Sequence, residues 1–173
     1  MPPSAEELVE ALEPWAATLR WRDRDTGIGV RVAPIAEERA WILPLDVTEA
    51  ARGTALSVLG RASGPICDLI VVMERAAGPV LCAVELKGRN ITRGLTQLLA
   101  VVNDLLVPKG QPVDGGTAIR ACLLSTSSEP GGRHYSLRRG RLEELLGRGS
   151  VLVRTGLPPR TELEITAFIR GGR

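Results

Sequence analysis

The stretch Pro65-Ile66-Cys67-Asp68-Leu69-Ile70-Val71-Val72 is followed by a second apolar run, Val80-Leu81-Cys82-Ala83-Val84-Glu85-Leu86-Lys87-Gly88. Both runs are short and rich in β-branched residues, and the polar residues 74–79 between them contain a Gly-Pro pair. This pattern predicts two antiparallel strands joined by a hairpin loop. Because both faces of each strand are apolar, we expect the hairpin to lie inside a sheet that helices cover.

Three charged residues interrupt this apolar hairpin. If the chain folds back between Ala76 and Ala77, Asp68 falls opposite Glu85, with Cβ atoms about 5 Å apart. Lys87 shares the face of Glu85, because side chains alternate along a strand. Two buried carboxylates repel and lose hydration unless a cation lies between them or a pKa shifts. Mg²⁺ binds one or two carboxylates together with waters and phosphate, so the pattern favours a metal site.

The alternative is a structural Glu85–Lys87 pair, with Asp68 as a cap at the end of the strand. Lysine usage favours the site. Of the 22 Lys and Arg residues, only Lys87 and Lys109 are lysines. An arginine cannot give up its proton whereas a buried lysine can, so a lysine at this position is suited to proton transfer or to holding a water.

At these residues the sequence resembles the PD-(D/E)XK nuclease superfamily, over about residues 63–126. The resemblance rests on Pro65-Ile66-Cys67-Asp68, then Glu85-Leu86-Lys87, then a helix that carries Gln97. Ile66-Cys67 between the Pro and the Asp departs from the superfamily pattern. The resemblance implies an α/β fold with a restriction-endonuclease-like core, which is a mixed β-sheet flanked by helices. It also implies hydrolysis of phosphodiester bonds that depends on Mg²⁺, with Mn²⁺ as a substitute.

The same resemblance implies a role for each residue. Asp68 and Glu85 would be metal ligands, the carbonyl of Leu86 a further ligand, and Lys87 the catalytic lysine. Gln97 would join the catalytic residues by contacting phosphate or positioning a water, although a solvated surface position is equally open. Glu49 is either an extra ligand or, as we favour, part of a helix cap.

We therefore expect a metal-dependent nuclease, a hydrolase that acts as an endonuclease, with DNA favoured over RNA as the substrate. One alternative is a catalytically inactive nuclease-fold protein that binds nucleic acid or a partner protein. A second is a binding module in which the Glu85–Lys87 pair is structural. A homodimer or a larger complex stays open.

By length the chain is one domain. Residues 1–62 are expected to form an N-terminal helical and strand extension on the core, residues 63–126 carry the catalytic motifs, and residues 127–173 complete the sheet. The formal net charge is only +2. That charge argues against a protein that coats nucleic acid, but it permits a local basic groove.

Hydrophobic spacing and caps predict the remaining elements. One helix is expected to follow the Ser4-Ala5-Glu6-Glu7 capping box, with an interruption at Pro14. A second is expected from the Asp46–Glu49 cap to about Arg61, and a third from about Asn90 to Leu106. The expected strands are 28–32, 41–45 as an edge strand or none, 117–125 parallel to the second apolar run, 150–154 and 161–169.

The densest basic cluster, residues 133–141, is expected to be a loop that runs into a short helix at 142–146. It holds the predicted nucleic-acid-binding residues, which share a positive or titratable side chain: Arg133, His134, Arg138, Arg139 and Arg141. Two interpretations are held equally: the cluster contacts the phosphate backbone of a nucleic acid, or it is a solvated loop.

The sequence also predicts where the chain resides. No apolar run is long enough to span a membrane, and the first residues lack a basic region followed by an apolar stretch. Cys67, Cys82 and Cys122 fall in predicted strands, and free buried thiols fit a reducing cytoplasm. We therefore expect a cytoplasmic protein without a membrane contact.

Overall fold

The computed structural model describes residues 2–107, 111–112, 116–128 and 132–171. Its helices, numbered along the chain, are α1 (Ala5–Leu12), α2 (Glu49–Val58), α3 (Ile91–Leu105), α4 (Arg133–Leu146) and α5 (Thr166–Arg170). Its strands are β1 (Arg20–Arg22), β2 (Gly29–Arg31), β3 (Arg39–Pro44), β4 (Leu69–Glu74), β5 (Val80–Lys87), β6 (Leu106–Val107), β7 (Gln111–Pro112), β8 (Ala118–Ser125), β9 (Val151–Arg154) and β10 (Glu162–Glu164).

The main sheet has five strands in the order β3-β4-β5-β8-β9. β3, β4 and β5 are antiparallel neighbours, whereas β8 runs parallel to β5 and β9 runs parallel to β8. The predicted hairpin is thus confirmed as β4 and β5, inside the sheet. The predicted parallel pairing across α3 is confirmed as well, because a strand that returns after a helix crossover runs in the same direction. The doubtful segment at residues 41–45 is β3, an edge strand.

The two faces of this sheet are covered differently. One face packs against helices α1 to α4, through an apolar cluster that includes Leu8, Leu95 and Leu142. The other face packs against a second mixed sheet, in the order β1-β2-β10, and against α5. The expectation that helices cover both faces is wrong here. The short strand β2 buries Val30 completely, so a sheet supplies the apolar surface on that side.

The N-terminal caps form as predicted. Ser4 and Glu7 form the expected capping box of α1, with the Ser4 N–H donating to Glu7 Oε2 over 2.7 Å. α1 ends at Leu12 and a 3₁₀ turn carries Pro14, because proline cannot donate the next helical hydrogen bond. Thr48 caps α2 by accepting from the Ala51 N–H.

The C-terminal third differs from the prediction in two places. The basic stretch is not a loop, because α4 begins at Arg133 and includes all of it. The predicted strand at 161–169 is β10 only as far as Glu164, and α5 follows. Ile165 and Ile169 are four residues apart, so one turn of helix buries both of them in the second apolar cluster.

No helix in the described part of the chain has the length and apolar character needed to cross a membrane.

Candidate active site

The open end of the β4–β5 hairpin brings Asp68 and Glu85 together. β4 and β5 pair with Leu69 opposite Val84, so the next position along places Asp68 opposite Glu85, as the spacing predicts. The Asp68 N–H donates to Glu85 Oε2 over 3.2 Å. The Leu86 N–H in turn donates to Asp68 Oδ2 over 2.6 Å. These two bonds fix both carboxylates relative to the hairpin backbone.

Lys87 completes this charged group at the end of β5. Its Nζ forms a close ion pair with Glu85 Oε1. The side chain of Glu85 is fully buried, whereas that of Lys87 is 21% exposed. The ammonium therefore reaches from a buried carboxylate toward solvent, where a phosphate or a water could meet it.

Burial raises the pKa of both carboxyl groups. Desolvation is the main cause for Asp68 and raises its pKa to about 6, while the hydrogen bond from Leu86 and the charge of Lys87 act to lower it. Burial and then the nearby charge of Asp68 raise the pKa of Glu85 to about 8, against the lowering effect of Lys87. The charge of Asp68 opposes ionisation of Glu85, so a further positive charge besides Lys87 would stabilise the ionised pair.

The two carboxylates could supply part of the ligand set of a hard divalent cation. Within the residues that the structure describes, no three His, Cys, Asp or Glu side chains lie close enough to share a metal ion. Two carboxylates are nevertheless a common protein contribution to Mg²⁺, whose other ligands are waters and phosphate oxygens. The raised pKa values agree with such a role, because a cation would relieve the repulsion that burial enforces. Asp68 and Glu85 would hold the ion.

Leu86 and Glu49 are placed less directly for metal binding. The Leu86 backbone lies beside the Asp68 carboxylate, as its N–H bond shows, and its side chain points into the second apolar cluster. Glu49 is exposed in the first turn of α2, next to the Thr48 cap. The favoured capping position of Glu49 thus agrees with the structure, while ligation by either residue stays a prediction.

Helix α3 packs directly on the charged group. A Cβ placed on Gly94 would lie 3.0 Å from Lys87 Cγ and 3.2 Å from Glu85 Cγ. Gln97 lies one turn further on, where its Nε2 donates to the Ile66 carbonyl over 2.6 Å. Gln97 therefore ties α3 to the segment just before Asp68. In this position it would orient the site, and direct contact with substrate stays a prediction.

Sequence reasoning missed Gly94. Its only signal was a glycine on the apolar face of an otherwise regular helix, next to Leu95. Such a glycine costs helix stability, so its presence indicates a close approach of neighbouring groups.

The loop between β1 and β2 also borders the site. A cavity of about 420 Å³ is lined by Asp68 together with Trp21, Asp23, Arg24 and Asp46. The charges of Asp23 and Asp46 contribute to the raised pKa of Asp68. No sequence signal placed this loop near Asp68, because the contact joins segments more than 40 residues apart.

The predicted nucleic-acid-binding residues lie along α4, which packs on α3. The Arg138 Nε donates to Thr96 Oγ1 over 2.7 Å. Arg139 pairs with Glu143, and Arg141 pairs with Glu144 over 2.7 Å. Arg133 and His134 are exposed in the first turn of α4. Three of the five side chains thus also have structural contacts, and their binding of nucleic acid stays a prediction.

The comparisons with known proteins give no further assignment. No protein-family model matches the chain, and neither the curated proteins nor the solved structures contain one that it matches.

Proposed function

We propose that this chain is a metal-dependent nuclease with a restriction-endonuclease-like core, acting as an endonuclease on DNA. The observation that carries the proposal is the convergence of Asp68, Glu85 and Lys87 at the open end of one hairpin. The topology supports it. Three antiparallel strands are followed by a helix and by a fourth strand parallel to the third, which is the mixed sheet with flanking helices that the resemblance implies.

In this proposal Asp68 and Glu85 hold a divalent cation against the scissile phosphate. The bound Mg²⁺ would supply a more acidic water and a counter-charge for the phosphate. Both carboxyl groups must be ionised to bind it, so at neutral pH binding releases the proton that Glu85 retains because its pKa is about 8. The affinity for the metal ion therefore rises with pH.

Lys87 acts beside this pair. Its ammonium is paired with Glu85 and its side chain is partly exposed, so it can reach a phosphate oxygen or the attacking water without leaving the carboxylate. A fixed positive charge at that point stabilises the charge that develops on the phosphate. Gly94 and Gln97 hold α3 close behind the three residues, so the geometry does not depend on a flexible loop.

A cleavage assay tests the proposal and names the substrate. Supercoiled plasmid, linear duplex, single-stranded DNA and RNA would be incubated with wild type in Mg²⁺, Mn²⁺ or EDTA, beside Lys87→Met. Cutting that needs a metal ion and disappears in the variant supports the proposal. Cutting that is equal in Lys87→Met contradicts it, and the Glu85–Lys87 pair is then structural.

A further inference from the structure

A cleft leads away from Asp68 along the loop between β1 and β2. It consists of two adjoining cavities that share Arg22, Asp23 and Arg24 in their walls. The first, of about 420 Å³, includes Asp68. The second, of about 490 Å³, ends at Arg160. The cleft therefore connects a candidate metal ligand to Arg22 and Arg24 and to Arg160, which is 138 residues from Arg22 along the chain.

The arginine end of this cleft is held in shape by Arg22. Its Nη1 donates to the Gly27 carbonyl over 2.6 Å and to the Arg160 carbonyl over 3.0 Å. A Cβ on Gly27 would lie 3.4 Å from the Arg160 N, so the two loops are in contact. Arg22 thus has a structural role and keeps Arg160 next to the β1–β2 loop.

Arg24 and Arg160 have no such structural role. Both side chains are exposed, and within the described residues neither forms an ion pair. The acidic groups of the cleft are otherwise engaged or lie nearer Asp68. Asp23 Oδ2 accepts from Thr26, and Asp46 pairs with Arg52 over 3.0 Å. Asp25 is exposed and lines the first cavity but not the second.

The cleft is therefore divided by charge. The first cavity, at Asp68, is lined by four aspartates and two arginines and attracts cations. The second, at Arg160, is lined by three arginines and one aspartate and attracts anions, and Arg24 lies in the wall that the two cavities share. This arrangement matches a nucleic-acid strand whose scissile phosphate meets a metal ion while its neighbouring phosphates need positive side chains.

We propose that Arg24 and Arg160 bind backbone phosphates of the substrate strand next to the scissile one. This inference rests on the proposed function. The surface is separate from the basic cluster on α4, because the cavity that contains Arg133, His134 and Arg138 shares no lining residue with the cleft. Together with the α4 cluster predicted from the sequence, the strand would then have two phosphate-binding surfaces.

The test measures binding rather than cleavage. The probes are fluorescent 20-nucleotide single strands and duplexes of DNA, and RNA of the same sequence, titrated in EDTA at several salt concentrations. Arg24→Ala with Arg160→Gly is the test variant, because glycine removes the side chain and suits the left-handed backbone at position 160, where φ is 65°. Arg148→Ala is the matched control, since Arg148 is exposed, forms no ion pair among the described residues and lines a different cavity.

We expect the double variant to bind about tenfold more weakly at 0.1 M salt. The slope of log affinity against log salt concentration should also become shallower by about two, because two phosphate contacts are lost. The Arg148 variant should bind like wild type. A double variant that melts like wild type and keeps its affinity and salt dependence overturns the inference, as does a wild type that binds none of the probes.

The outcomes separate this inference from the nuclease proposal. Metal-dependent cutting by wild type, together with unchanged binding by the double variant, supports the nuclease proposal and contradicts phosphate binding by Arg24 and Arg160. Weakened binding by the double variant, together with no cutting by wild type under any condition, supports phosphate binding in the cleft and contradicts the nuclease proposal. The DNA and RNA probes show which backbone the surface accepts.

Discussion

The two ends of the β4–β5 hairpin treat charge in opposite ways. At the turn end, Glu74 pairs with Arg39 over 3.0 Å, and both side chains are well exposed to solvent. At the open end, Glu85 pairs with Lys87 while fully buried, and a second carboxylate lies beside it. Exposed ion pairs contribute little and need no explanation, whereas buried like charges destabilise the fold. The open end is therefore where the chain retains a costly arrangement that a function would explain.

The largest expected effect is on cleavage. Lys87→Met and Glu85→Gln should each lower the cleavage rate by about 10³-fold or more, because each removes a charged group from the transition state. Glu74→Gln, at the other end of the same hairpin, should cleave like wild type. Plasmid nicking under matched metal concentrations measures all three. Equal cleavage rates for the variants at the two ends would contradict a catalytic role for the open end of the hairpin.

The next effect is the pH dependence of stability. The pKa of Glu85 is about 8 in the folded chain against an ordinary 4.5, so the folded state binds the proton more tightly. The stabilising contribution of this group is therefore fully present below about pH 4.5 and is lost as the pH rises through about 8. Between pH 5 and 9, in EDTA, the free energy of unfolding of wild type should fall by on the order of 3 kcal/mol more than that of Glu85→Gln.

Chemical denaturation at the two pH values measures this difference. Glu74→Gln should retain the wild-type pH profile, because its carboxylate is exposed. Parallel profiles for wild type and Glu85→Gln would show that the Glu85 charge carries no burial cost.

A smaller effect is expected behind the open end, at Gly94. A Cβ there would lie 2.9 Å from Leu123 Cδ1 and 3.0 Å from Lys87 Cγ, so Gly94→Ala should destabilise the fold by about 1–3 kcal/mol and weaken cleavage. Gly53 is the matched control, because it is also helical but has no atom within 4 Å of the added Cβ. Gly53→Ala should stabilise by up to about 1 kcal/mol, as alanine favours helix.

Thermal melting and cleavage rates of both glycine variants check this prediction. An unchanged Gly94→Ala protein would show that α3 does not position the charged group.

The smallest effect is expected at the turn end itself. Removing the exposed Glu74–Arg39 pair by Glu74→Gln should change the free energy of unfolding by less than about 1 kcal/mol. Urea denaturation measures it. A loss larger than that would mean that the turn end is not the ordinary surface that the comparison assumes.

The hairpin and its charged group were predictable from sequence because the information is local. Equal spacing of Asp68 and Glu85 about Ala76 and Ala77 gives the register, and alternation then places Lys87 on the same face. The helix after the hairpin was predictable too, since Asn90 caps it by accepting from the Arg93 N–H.

Two elements were not predictable because tertiary packing decides them. Helix α4 has no side-chain cap and contains Gly140, so its local helix signals are weak. Its helical form agrees with the burial of Tyr135 and Leu142 in the main apolar cluster. The loop around Asp23 likewise lies next to Asp68 only because β1 and β2 pack across the main sheet.

The most direct test of the central claim is a calorimetric titration of Mn²⁺ into wild type and Glu85→Gln at pH 8.5, with Glu74→Gln as the control. We expect one ion bound per chain in wild type and in Glu74→Gln, and no binding in Glu85→Gln. A wild type that binds no ion, or a Glu85→Gln protein that binds as wild type does, would contradict the assignment of the open end as a metal site.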